Sequence, residues 1–120
     1  MNTDMKATVR MALLENAALI SLLGGERIYQ LAAPKAEEFP RITFFELDNA
    51  STHFADDKAF AAGISIQVDV WSKDSTSAIT EQVNITMTEL GFVRTSAMDL
   101  YEQENAIYHK ALRYRTHKEE

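Results

Sequence analysis

Three histidines, His53, His109 and His117, and the acidic doublet Asp56-Asp57 are the residues from which this sequence would have to build chemistry. A metal face on a helix needs ligands three or four residues apart. No two of the histidines stand at that spacing, and there is no cysteine to supply a thiolate. Asp56 and Asp57 adjoin Lys58 and lack the oxygen-ligand spacing of a calcium loop, so they read as solvated carboxylates. No G-x-S-x-G elbow, phosphate-cradling glycine loop or dinucleotide fingerprint is present. The serines and threonines cluster in turns and in a helical stretch, with no histidine placed to activate them. Convergence of distant carboxylates is the one route to an enzyme that spacing leaves open. The expectation is therefore no catalytic site, no metal and no cofactor, and function is sought in surfaces.

Composition sets the frame for those surfaces. With 120 residues, 46% apolar and 25% charged, the chain suits a single domain over residues 1–120 with a real core. The lack of cysteine suits a reducing compartment. Asp and Glu outnumber Lys and Arg by 18 to 12, and a net charge of −6 argues against generic binding to a phosphate backbone. Lys110, Arg113, Arg115 and Lys118 make the C-terminal segment basic, while Asp48, Asp56, Asp57, Asp69 and Asp74 make the middle acidic. That asymmetry reads as solvated surface, or as a head-to-tail electrostatic match between subunits. The stretch "HKALRYRTHK" mixes basic and aromatic residues, but strand alternation already accounts for Tyr108, Leu112 and Tyr114. The most apolar run, "MALLENAALISLL", is interrupted by Glu15 and Asn16, too short to span a membrane and unlike a secretory signal. The protein is expected to stay soluble where it is made.

The pattern predicts the elements that carry these residues. A first helix, capped by Thr3 or Asp4, runs to about Leu23, with Met5, Val9, Leu13, Ile20 and Leu23 on one face. Met11, Leu19 and Leu22 form a second apolar strip that one sheet cannot cover. Gly24 and Gly25 end the helix, Ile28-Tyr29 forms a short extended piece, and Pro40 opens strand one, "RITFFEL", at an edge position. In "GISIQVDVW" Ile64, Ile66, Val68 and Val70 alternate with Ser65, Gln67 and Asp69, a strand with one wet face. Asp74 or Ser75 caps a second helix striped by Ile79, Val83, Met87 and Leu90 and stopped by Gly91. Strand three runs from about Phe92 to Met98 and strand four from Ala106 to Tyr114, around the polar turn "YEQEN". The predicted fold is α+β, α-β-β-α-β-β, two helices on a mainly antiparallel four-stranded sheet in two layers. The connection Asp48–Gly63 is too long for a hairpin turn, and its Phe54 and Phe60 argue against a merely solvating linker.

Three stretches in this order resemble the tail-completion, or tail-to-head joining, proteins of long-tailed bacteriophages and prophages, which are similar in fold to tail terminators. They are "LLGGERIYQLAAPKAEEFPRITF", "ISIQVDVWSKDSTSA" and "MDLYEQENAIYHKALRYR", and with the helices they take in nearly the whole chain. The resemblance implies a non-enzymatic virion part, assembled in the bacterial cytoplasm. It would cap the tail tube and join it to the head as a ring of six around the DNA channel. Its partners would be its own copies, monomeric before assembly, the tail tube protein and a head-completion or connector protein. DNA would be passing cargo only. A head-to-tail ring needs two different surfaces per subunit. The candidate pair is the strip Met11, Leu19 and Leu22 and the loop residues His53, Phe54, Asp56, Asp57 and Phe60. The alternative is an internal contact, the loop folded over its own helix. A different class of function, a small regulatory or ligand-binding α+β domain with an apolar pocket under the long loop, predicts saturable small-molecule binding.

Overall fold

A computed structural model describes residues 5–35, 37–47 and 61–119, and the fold is built from these. The helical layer holds α1 (Met5–Leu14), α2 (Ala17–Leu23) and α3 (Ser77–Glu89). The sheet layer holds β1 (Ile28–Gln30), β2 (Arg41–Glu46), β3 (Ala61–Ser72), β4 (Val93–Glu102) and β5 (Ile107–Glu119). In space the strands lie in the order β1-β2-β3-β5-β4. β1 pairs parallel with β2 and every other neighbour is antiparallel. The α+β class is as expected, but the sheet is mixed and five-stranded and there are three helices.

Both corrections have local causes. The first helix does not run unbroken to Leu23, because Asn16 leaves helical angles (φ −83, ψ 99) and starts a new helix. Its side-chain oxygen accepts from the Leu19 amide at 2.9 Å, an N-cap that satisfies one of the orphan donors of α2. The side-chain amide of Asn16 donates to Thr86 Oγ1 (2.9 Å) and Gln82 Oε1 (3.2 Å), tying the junction to α3. The break resets the helical phase, so Val9 and Leu13 from α1 and Leu19 and Leu23 from α2 all reach the core. The second correction concerns "RIYQ". Its three strand residues pair in parallel with β2, so β2 is interior and the Pro40 entry is not at the edge.

The helix ends fall where glycine permits them. Gly24 is left-handed (φ 80) and its amide bonds the Ile20 and Ser21 carbonyls. α3 starts at Ser77 with Thr76 in the N-cap position, and neither Asp74 nor Ser75 caps it. Ser75 Oγ instead accepts from the Ser77 amide in the preceding turn. The core lies between the layers and includes Ile42, Phe44, Ile66, Val68, Val70, Ile79, Val83, Met87, Leu112 and Tyr114. Each fully buried aliphatic or aromatic side chain of this kind is worth about 1.5–3 kcal/mol of transfer free energy, which is what holds helices to sheet. The predicted strand three is β4, which begins at Val93 but persists through Glu102, so the turn predicted from Tyr101 to Asn105 shrinks and the last two strands form one long hairpin.

Candidate functional site

The helices cover one face of the sheet. On the other face the register aligns Arg41 with Trp71, Thr43 with Asp69 and Phe45 with Gln67 across β2 and β3. It then aligns Trp71 with His109, Asp69 with Ala111 and Gln67 with Arg113 across β3 and β5. Alternation predicts a wet face here, yet Asp69 is only 4% exposed. A buried carboxylate must find donors. Asp69 Oδ1 accepts from Gln67 Nε2 at 2.9 Å and meets His109 Nε2 at 2.7 Å. An ionised carboxylate only accepts, so His109 Nε2 carries the proton in that bond.

The His109 ring stacks on Trp71 with centroids 3.7 Å apart and planes 15° from parallel. Trp71 Nε1 donates to Thr43 Oγ1 at 2.9 Å, and Gln67 Oε1 accepts from Arg113 Nε at 3.0 Å. These six side chains satisfy one another across three strands. His109 is thus committed by one nitrogen to Asp69 and by its flat face to Trp71, which fixes a polar layer rather than presenting a base to substrate. Sequence reasoning found no metal-ligand spacing for His109 and put Asp69 on the wet face. The available signal was their presence on paired strands with Trp71 two residues after Asp69 on the same face.

Beside this layer lies a groove of about 520 Å³ that includes Phe39, Arg41, Trp71, Lys73, Glu102 and Asn105 in its lining. The Arg41 guanidinium sits 4.4 Å above the Phe39 ring and 5.4 Å from that of Trp71. Burial lowers the Arg41 pKa from its usual value, with Glu102 and then Tyr29 opposing that effect. Lys73 Nζ is 5.2 Å from the Phe39 ring and donates to the Asn105 carbonyl at 2.9 Å, latching the β4–β5 turn to the body. Among the described residues no cluster of three or more His, Asp or Glu side chains could hold a metal ion.

The sequence-predicted surface residues separate. Met11 is 60% exposed and Leu22 is also exposed, but Leu19 is fully buried. The second apolar strip therefore reduces to Met11 and Leu22, since the break at Asn16 turns Leu19 inward. His53, Phe54, Asp56, Asp57 and Phe60 lie outside the described residues. His117 lies on the β5 backbone. A surface that periodicity did not single out is β4, all ten of whose residues are exposed. It pairs with β5 on one side, and among the described residues no strand lies on its other side. Val93, Met98 and Leu100 are exposed along it, and Tyr101 packs at 4.8 Å on Tyr108 of β5. Long apolar edges of this kind are sites for another chain.

Among the described residues no helix is long and apolar enough to cross a membrane. Residues 7–118 match the family described as "Tail completion protein gp17". No curated protein matches the sequence. Among solved structures, a chain of the virion of a native gene transfer agent particle superposes with a TM-score of 0.69 at 16% identity, covering 93% of this chain and 92% of that one. At that identity the likeness speaks to the fold.

Proposed function

The chain belongs to the tail completion protein gp17 family, a structural part of phage tails, and from that premise we propose that it closes the tail tube as a ring and joins it to the head. The observation that carries this reading is the family match over residues 7–118. Its place is the virion and its role is structural rather than enzymatic. The described polar groups support that role, because Asp69, His109, Trp71, Thr43 and Gln67 are spent on one another. The gene transfer agent chain of similar fold comes from a virion, which fits a particle component.

The ring reading draws on two further observations. The subunit carries unlike surfaces, an exposed β4 edge and, on the helical layer, exposed Met11 and Leu22. Closed rings are built from such unlike, heterologous contacts. The net charge of −6 suits a wall past which DNA slides, since fixed basic residues would hold phosphates. Six copies, with the tail tube protein below and a head-completion protein above, is the arrangement proposed. Phe54 and Phe60 are proposed to join that interface, so Phe54→Ser or Phe60→Ser impairs assembly more than folding. Deleting the gene tests the reading: separate filled heads and separate tails are expected by electron microscopy. Normal joined, infectious particles from the deletion overturn it.

A further inference from the structure

Resting on the ring reading above, we infer that neighbouring copies meet edge to edge, β4 of one subunit docking by its side chains on the α1–β1 edge of the next. The two edges are matched row by row. Cross-strand pairing runs Ile28–Ile42–Val70–Lys110–Asp99 from one edge to the other, and Arg10 Nε donates to the Ile28 carbonyl at 3.2 Å. Arg10 on one edge and Asp99 on the opposite edge therefore stand at one level. A second row runs Glu46–Ile66–Tyr114–Arg94, so Glu46 near the first edge is level with the exposed Arg94 on the other. Arg10 and Asp99 are opposite in sign, as are Glu46 and Arg94, with Asp99 also 3.0 Å from Lys110 Nζ and Glu46 3.8 Å from Lys6 Nζ within the chain.

The exposed apolar residues of the two edges fall within two rungs of one another. Gln30 is level with Ala97 through Phe44, Val68 and Leu112, which puts Leu31 between the levels of Met98 and Val93. Leu31 is 71% exposed, Val93 68% and Met98 53%. Leu31 is also held in the left-handed region (φ 73), an unusual place for a leucine, with its amide donating to the Phe44 carbonyl at 2.9 Å. It borders a groove of about 390 Å³ lined by Lys6, Gln30, Phe45, Glu46 and Leu47, into which an apolar side chain fits.

Direction agrees as well. β1 is parallel to β2, and three antiparallel steps then separate β2 from β4, so β4 of one copy would run antiparallel to β1 of the next. The contact is made by side chains because β1 has little backbone to offer. The Ile28 carbonyl is taken by Arg10 and the Gln30 carbonyl by the Ala32 amide at 2.8 Å. Two different edges meeting at one level give the heterologous contact that a rotation closes into a ring.

The test uses the absence of native cysteine. Leu31→Cys and Met98→Cys are introduced together and singly, in cells where the variant replaces the wild-type gene, and the assembled particles are treated with a bifunctional thiol cross-linker long enough to span the two rungs between these positions. The double variant is expected to give a ladder of cross-linked oligomers, and each single variant only monomer. A dimer from Met98→Cys alone would mean that two β4 edges face each other and would overturn the inference. Joined particles without a ladder would overturn it too, while leaving the ring reading intact. Joined particles from the gene deletion overturn the reading beneath it.

A charge exchange covers the case in which the cysteine pair prevents assembly. Arg10→Asp and Asp99→Arg should each lower head–tail joining about tenfold, and the double variant should restore most of it. The two positions lie on opposite edges of one chain, so restoration has to act between copies. A double variant no better than the worse single variant refutes the contact.

Discussion

His109→Phe isolates the polar layer behind the sheet. The variant keeps a flat ring over Trp71 and removes the proton that His109 Nε2 places on Asp69 at 2.7 Å. Asp69 remains 4% exposed with Gln67 Nε2 still donating to it. Breaking a deeply buried pair by removing one partner costs about 3–5 kcal/mol. Here the imidazole is half-buried and Gln67 stays, so the expected cost is about 2–3 kcal/mol. For a domain of this size that is roughly an 8–12 °C fall in Tm.

The discriminating measurement is the double variant Asp69→Val/His109→Phe. It removes the carboxylate along with its donor, and β-branched valine suits a strand. Gln67 is half-buried and keeps its bond from Arg113, so its amide can turn to water. The double variant should therefore be more stable than His109→Phe alone, as buried pairs replaced by apolar residues commonly are. Urea denaturation with an unchanged m-value is the assay. A single-variant cost under about 1 kcal/mol, or a double variant no more stable than the single, would refute the claim that Asp69 depends on its histidine.

Other perturbations probe the remaining joints. Asn16→Ala loses the α2 cap and leaves the buried Thr86 hydroxyl without that donor, for about 2 kcal/mol in all, and Asn16→Asp should recover the capping part. Calorimetry on the two variants checks both halves. Thr43→Val removes the acceptor for Trp71 Nε1 and should cost about 1–2 kcal/mol, with an altered emission spectrum from the single tryptophan. Burial, partly opposed by Arg94, raises the Tyr114 pKa from 10.0 to about 12. The unfolded chain then ionises first, so this contribution is complete below pH 10 and is lost as pH rises toward 12. After discounting for solvent screening it is about 1–2 kcal/mol, and in Tyr114→Phe stability should fall less across that window.

Periodicity revealed most of the elements because one face of each is buried. Ile64, Ile66, Val68 and Val70 alternate in sequence as they do in space, and Ile79, Val83 and Met87 meet the sheet as their spacing requires. At the first helix it failed because a single polar side chain redirects the chain. Asn16 looks like a tolerable interruption of an apolar run, but its side chain satisfies more partners by ending one helix and starting another. Leu19 was misplaced for that reason alone. The parallel pairing of β1 was hidden because three residues are too few to show a period. Asp69 and His109 lie 40 residues apart, and only the strand register brings them together. The β4 surface went unnoticed because exposure on both faces leaves no alternation to detect.

Arg10 and Ala32 have one more effect, felt by a host cell filled with newly made copies. By occupying the outward carbonyls of β1 they take up acceptors that a further strand would need along one margin of the sheet. A subunit with a single receptive margin can stick to one other by strand stacking, but it cannot pass that stacking on. Runaway fibre growth by that route therefore stops at a pair.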